Sequence, residues 1–171
     1  MTLEIRWAQV PDTAFLPAIE RSAAELFRSD PQLAWLADGE VIASASHARH
    51  LQKHPLWVAV NADHQRCGFL SAQVCGRELH IVEVSVASHC QGQGIGKALL
   101  QAAIGHAREQ GLDALTLSTF RQLPWNEPFY QRLGFITLAD AQLGPRLRQV
   151  LANETLHGLP AERRCAMRLP L

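Results

Sequence analysis

His89-Cys90-Gln91-Gly92-Gln93-Gly94-Ile95-Gly96-Lys97 stands between a strand-like run, ELHIVEVSV (78 to 86), and the longest regular element, IGKALLQAAIGHAREQ (95 to 110). In the second run Ile95, Leu99, Ala102, Ala103 and Ile104 share one face, and Gly111 stands where a helix-ending glycine belongs. A Gly-rich turn that enters a helix gathers unbonded main-chain N–H groups at the positive end of the helix dipole, and that combination binds anions. Alternate glycines let a diphosphate approach the backbone closely.

Upstream of the turn, LWVAV (56 to 60), CGFLSAQV (67 to 74) and ELHIVEVSV predict three strands of an antiparallel meander, separated by NADHQR and by Cys75-Gly76-Arg77. LEIRWAQV (3 to 10) alternates apolar and polar residues, which predicts a strand stopped by Pro11-Asp12. With Asp12 as N-cap, residues 13 to 28 carry Phe15, Leu16, Ile19, Ala23, Leu26 and Phe27 at helical spacing, with Pro17 in the first turn. Residues 40 to 53 read as a second helix. Downstream, 114 to 119 predicts a strand, 124 to 133 a short helix and 134 to 138 a strand. A helix over 143 to 157 and a strand over 163 to 169 complete the chain. This order describes an α/β fold, with a mixed, largely antiparallel central sheet flanked by helices on both faces.

The chain has 171 residues, with 16 Lys+Arg against 16 Asp+Glu, 47% apolar and 19% charged residues. Its sequence pI is about 7.1. That length, without repeats or Gly/Ser linkers, predicts one domain over 1–171. No basic run or stripe offers itself to phosphates, so nucleic acid is not expected as a partner. No apolar stretch approaches the roughly 20 residues of a membrane-spanning helix, and Glu4 and Arg6 break up the N-terminus, so neither a membrane partner nor a signal peptide is expected. The expected location is the cytoplasm. Cys67, Cys75, Cys90 and Cys165 form no CxxC pair, which argues for reduced packing residues rather than disulfides or a thiolate zinc site.

Spacing separates three readings of the turn. A G-x-G-x-x-G fingerprint begun at Gly92 needs glycine at 97, where Lys97 stands. A Walker A loop ending in Gly96-Lys97 needs glycine at 91 and a hydroxyl at 98, and Gln91 and Ala98 stand there. The third reading fits: Gln91-Gly92-Gln93-Gly94-Ile95-Gly96 resembles the Q/R-x-x-G-x-G/A signature of the GNAT superfamily of acetyl-CoA-dependent N-acetyltransferases. Asn126-Glu127-Pro128-Phe129-Tyr130-Gln131-Arg132-Leu133-Gly134-Phe135 is similar to that family's later segment ending in G-F. The resemblance covers most of residues 3 to 139 and implies a GNAT-like sheet. It implies that the amides of Gln91, Gly92, Gln93, Gly94, Ile95, Gly96 and Lys97 bind the pyrophosphate of coenzyme A. It also implies that the backbone of Ser85 and Val86 pairs with the pantetheine arm and that Asn126 touches the cofactor. Tyr130, four residues before Gly134, stands where the family implies a proton donor to the coenzyme A thiolate.

Acetyl transfer needs a deprotonated amine, and alkyl amines hold their proton near neutral pH. His80 and Glu83 on ELHIVEVSV are both candidate bases: an unperturbed histidine already matches neutral pH, whereas a glutamate needs desolvation to rise toward it. Strand parity puts His80, Val82, Val84 and Val86 on one face and Glu83 with Ser85 on the other, and a bulge would shift that parity. Cys90 adjoins the loop and is expected as a packing residue rather than an acyl carrier. His47, His50 and His54 share a helical spacing, but no carboxylate or cysteine nearby completes a metal set, so no metal is expected.

Acceptor choice in such enzymes lies with the first helices, here from Ala18 to Trp35, where Glu20, Glu25 and Asp30 can attract a cationic amine and Phe27, Trp35 and Trp57 can wall a pocket. The expected function is therefore acetyl transfer from acetyl-CoA to a primary amine of a small molecule. The alternatives are a peptide or protein N-terminal acetyltransferase and a non-catalytic acyl-CoA-binding module. A homodimer, with the C-terminal strand as a contact, fits the same picture.

Overall fold

The computed structural model describes residues 2–171. Along the chain run β1 (Glu4–Trp7), α1 (Leu16–Ala23), α2 (Ser44–Leu51), β2 (Leu56–Val60), β3 (Arg66–Cys75), β4 (Glu78–Val86) and α3 (Ile95–Glu109). They are followed by β5 (Ala114–Phe120), α4 (Glu127–Arg132), β6 (Ile136–Thr137), α5 (Pro145–Leu156) and β7 (Arg164–Pro170). The seven strands follow the order β1-β2-β3-β4-β5-β7-β6. β4 and β5 run parallel, and the β1–β2, β2–β3, β5–β7 and β6–β7 pairs are antiparallel. The expected largely antiparallel α/β sheet is thus present. Among the described residues, no helix is long and apolar enough to cross a membrane. The residues cluster into two compact units, one of residues up to Gln73 with Val82–His106, the other of Val74–Ile81 with Ala107–Leu171.

In the first unit every residue of β2 is buried, because its two faces are covered by different helices. Leu56, Val58 and Val60 join Leu16 and Ile19 of α1 and Phe69 of β3 in one apolar cluster. Each such side chain contributes about 1.5–3 kcal/mol on burial. Trp57 and Ala59 point the other way: Trp57 meets His106 of α3 edge-on at 5.5 Å, and Trp7 stacks on Trp57 at 4.7 Å. Ala59 pairs with Gly68, whose missing side chain leaves room for Ile95 and Leu99 of α3.

The start of the chain departs from expectation. The strand expected over 3 to 10 stops at Trp7, and Val10–Phe15 forms a 3₁₀ turn. Asp12 does not begin a helix as N-cap. It sits third in that turn and accepts from Gln9 N at 2.7 Å, from Arg6 Nη1 at 2.8 Å and from Arg66 Nε at 2.9 Å. The helix expected over 13 to 28 keeps α-helical geometry only through α1 and continues as a 3₁₀ stretch, Ala24–Ser29, where Arg28 bridges Glu25 and Asp38. The expected 40 to 53 helix shortens to α2, because Ile42 N donates to Glu20 Oε2 at 2.9 Å rather than within a helix.

In the second unit β7 pairs with β5 along seven residues, from Ala114↔Pro170 to Phe120↔Arg164. β7 also pairs with β6 at Arg168 and Met167, so the C-terminal strand is flanked on both sides and β6 stands last in the strand order. β5 turns Thr116 and Ser118 toward α5, where they bond to Arg146 and Glu154.

Candidate functional site

The loop between β4 and α3 is shaped by main-chain conformation. After Val86 a short 3₁₀ turn, Ser88–Cys90, closes with Cys90 N donating to Ala87 O at 2.8 Å. The Gln91 carboxamide then reaches back to Val86 O at 2.9 Å. Gly92 and Gly94 adopt φ of 75° and 80°, a region that L side chains rarely enter. A Cβ at either position would meet nothing within 4 Å, so the space beside them is open. The first bond into α3 runs from Ala98 N to Gly94 O at 3.0 Å, and the amides of Ile95, Gly96 and Lys97 precede it. Buried Ile95 anchors the turn while Gln93 and Lys97 face solvent. Open space, two left-handed glycines and three helix-leading amides suit a diphosphate.

Beneath this loop, Ser85 is buried at the end of β4 and its Oγ donates to Glu83 Oε1 at 2.7 Å. Glu83 and Ser85 thus share a face, as strand parity predicts. Val86, whose backbone with that of Ser85 is expected to pair with a pantetheine arm, accepts at its carbonyl from the Gln91 carboxamide. The loop, Glu83, Ser85 and Val86 all belong to the first unit. His80, Asn126 and Tyr130 belong to the second.

His80 lies where the β4–β5 ladder ends: the register covers only Glu78↔Ala114, Leu79↔Leu115 and His80↔Thr116. Its Nδ1 is 2.9 Å from Thr116 Oγ1. Arg146 Nη2 donates to Thr116 Oγ1 at 3.0 Å and to Glu78 Oε2 at 2.8 Å, and Arg168 Nε donates to Glu78 Oε1 at 3.0 Å. Burial, reinforced by the Arg146 charge and opposed by Glu78, pushes His80 down from 6.5 to about 4. The ring is therefore neutral at physiological pH but far less basic than an unperturbed histidine.

Asn126 precedes α4, which begins at Glu127 rather than at 124 as expected. Its Oδ1 accepts from Thr119 Oγ1 at 2.5 Å, tying α4 to β5. Tyr130 is half-buried between Phe129 and Phe135, with ring centroids at 5.2 and 5.7 Å. Its carbonyl accepts from Phe135 N at 3.1 Å across Gly134, whose φ is 97°.

Several other sequence candidates have internal duties. Cys90 is buried against the Cys67 thiol, which burial and that neighbour push up to about 11. Glu25 bonds to Arg28, Asp30 Oδ1 accepts from Gln32 N, and Glu20 holds Ile42 N. His47 is buried edge-on to Phe69, and His50 Nε2 lies 3.2 Å from Pro55 O. Among the described residues, no group of three or more His, Cys, Asp or Glu is arranged to hold a metal ion. Thr116, Arg146 and Arg168, which set the surroundings of His80, carry no motif. The faint signals are a threonine in a strand and arginines at a helix start and in an alternating strand.

A family model described as "Acetyltransferase (GNAT) family" matches residues 4–135, which include both motifs. Mycothiol acetyltransferase of Paenarthrobacter aurescens (strain TC1) is 35% identical over 95 residues, 52% of this chain and 29% of that protein. Streptothricin acetyltransferase of Streptomyces lavendulae is 34% identical over 105 residues, 60% of this chain and 54% of that protein. The chain thus spans under a third of one curated relative and about half of the other. The crystal structure of PaiA N-acetyltransferase from Thermoplasma acidophilum in complex with coenzyme A shares the fold, with a TM-score of 0.74, 16% identity and 100% of both chains covered. By a family match over residues 4–135, this chain belongs to the GNAT acetyltransferase family.

Proposed function

We propose that the chain, working as one catalytic domain, transfers an acetyl group from acetyl-CoA to a primary amine of a small molecule by direct attack on the thioester. The observation that carries this reading is the open, left-handed conformation of Gly92 and Gly94 ahead of the first amides of α3. In this reading the main chain from Gln91 to Lys97 holds the diphosphate, Ser85 and Val86 pair with the pantetheine arm, and Asn126 contacts the cofactor. Acetyl-CoA, when bound, supplies an acyl group already activated as a thioester. The amine nitrogen forms a bond to the acyl carbon as the carbon–sulfur bond breaks. The amine proton passes to a base on β4, Glu83 or His80, and Tyr130 gives a proton to the departing sulfur.

A small-molecule acceptor is favoured because the two curated relatives described above carry the names of small molecules, mycothiol and streptothricin. Acetyl-CoA is an intracellular cosubstrate, which is the reason for proposing a cytoplasmic location. A homodimer is proposed alongside, to be tested by sedimentation. The activity test incubates the purified chain with acetyl-CoA and a panel of small amines, amino acids and peptides, following free thiol. Thiol release that depends on a small amine supports the proposal. Release with peptides alone would assign N-terminal acetylation, and tight acetyl-CoA binding without release would assign an acyl-CoA-binding module.

A further inference from the structure

The side chain of Thr116 is fully buried in β5, and its hydroxyl touches two groups, Arg146 Nη2 at 3.0 Å and His80 Nδ1 at 2.9 Å. A guanidinium has only donors, so Thr116 Oγ1 accepts from Arg146. The hydroxyl proton then needs an acceptor of its own, because a buried donor left unsatisfied loses its bonds to water without replacement. Nδ1 of His80 is the acceptor within reach. Glu78 is engaged elsewhere, through Oε2 to Arg146 and Oε1 to Arg168. An imidazole whose Nδ1 accepts carries its proton on Nε2. The hydrogen-bond chain from Arg146 through Thr116 therefore fixes which nitrogen of His80 can donate.

The charges around the ring act in the same sense. Arg146 of α5 approaches it through Thr116, Glu78 lies on its own strand, and Arg168 of β7 shares Glu78 with Arg146. Two arginines against one carboxylate leave a local positive excess that opposes an imidazolium.

We propose that His80 is a neutral hydrogen-bond donor, presenting Nε2–H to an oxygen of the bound substrates, and that it is not the base that deprotonates the amine. The substrate part of this inference rests on the acetyl-transfer reading, while the tautomer stands without it. A fixed neutral donor stabilises charge gathering on a carbonyl oxygen without any proton transfer. Base duty then falls to Glu83, whose carboxylate Ser85 orients.

Nitrogen-15 NMR of the histidine-labelled protein tests the tautomer directly, with His80→Gln used to assign the ring signals. The expected result is a protonated Nε2 and an unprotonated Nδ1 between about pH 6 and 8, with that preference lost in Thr116→Val. A proton on Nδ1, or an imidazolium at pH 7, overturns the inference even if no acceptor is ever turned over. In kinetics, His80→Ala is expected to lower kcat/KM about 100-fold, the scale of losing one donor to a developing oxyanion. His80→Gln, which can place an N–H near the Nε2 position, recovers most of that loss and leaves the pH–rate profile unchanged. A loss confined to kcat assigns the acyl oxygen, and one confined to the acceptor KM assigns an oxygen of the acceptor. Disappearance of the rising limb of the profile in His80→Gln overturns the inference.

Discussion

A methyl group on Gly68 would stand 3.0 Å from the carbonyl oxygen of Ser85. The same methyl would also meet Ile95 Cγ2 at 3.2 Å and Leu99 Cδ1 at 3.3 Å. Gly68 is thus the point where β3 lets the end of β4 and the start of α3 close in. Gly68→Ala is expected to cost about 1–3 kcal/mol, as overpacking does, because a main-chain oxygen cannot step aside as a flexible side chain can. Coenzyme A affinity should fall with it, since the same contact seats the helix start. Urea unfolding and titration calorimetry read the two effects, and an unchanged unfolding midpoint would contradict the packing argument.

Gly92→Ala and Gly94→Ala separate conformation from contact. Both glycines have positive φ and no neighbour within 4 Å, and Gly76, in the β3–β4 turn, shares both properties at φ 60°. All three substitutions should cost about 1–2 kcal/mol of stability from left-handed strain alone. Only those at 92 and 94 should also weaken coenzyme A binding, by about tenfold or more, because their new methyls enter the space proposed for the diphosphate. Equal binding losses in all three variants would mean that strain, not the site, is being read.

Tyr130→Phe keeps the ring packed against Phe129 and Phe135 and removes only the hydroxyl. A proton donor lost from the reaction lowers kcat by about 100-fold or more. Coenzyme A affinity should stay within about threefold of the parent. A variant with full turnover would remove Tyr130 from the chemistry.

The parts of the fold set by local pattern were legible in the sequence. The expected bounds of β2 and β4 match the structure, and α3 ends one residue early, because continuous apolar runs and glycine breaks are local signals. The 3₁₀ segments near the start were not legible, since they hang on charges far along the chain. Arg66 lies 54 residues beyond Asp12, and Asp38 holds Arg28 from outside its own turn. The site divides in the same way. The loop proposed to hold the diphosphate is written in glycine spacing, whereas the depressed basicity of His80 comes first from burial in the folded sheet and then from Arg146, 66 residues downstream, and no window around ELHIVEVSV contains either. An intrinsic value near neutrality therefore carries no sign of the lowered basicity that the folded surroundings impose on His80.

Acid should weaken the fold in two stages. Burial first, and Arg146 next, hold His80 at about 4 against an ordinary 6.5, so its neutral form stabilises the fold above pH 6.5 and that contribution fades as pH falls toward 4. Burial lowers His47 and His50 in the same direction. Burial alone would raise Asp12, but hydrogen bonds from Arg6, Gln9 N and Arg66 outweigh it and bring the carboxyl down to about 2. Its contribution is present above its ordinary 3.8 and disappears as pH falls toward 2. Urea midpoints across pH should show both declines. Asp12→Asn should flatten the second and cost about 2 kcal/mol at pH 7 through lost charge-assisted hydrogen bonds. A parent midpoint that stays constant from pH 7 to 4.5 would contradict the histidine assignments.

Titration calorimetry of the purified chain with coenzyme A and with acetyl-CoA tests most directly the proposal that residues 91–97 hold a diphosphate. One molecule bound per chain, with affinity reduced by Gly92→Ala and Gly94→Ala but not by Gly76→Ala, is the predicted result. No heat of binding from either compound, with the protein folded, would contradict it.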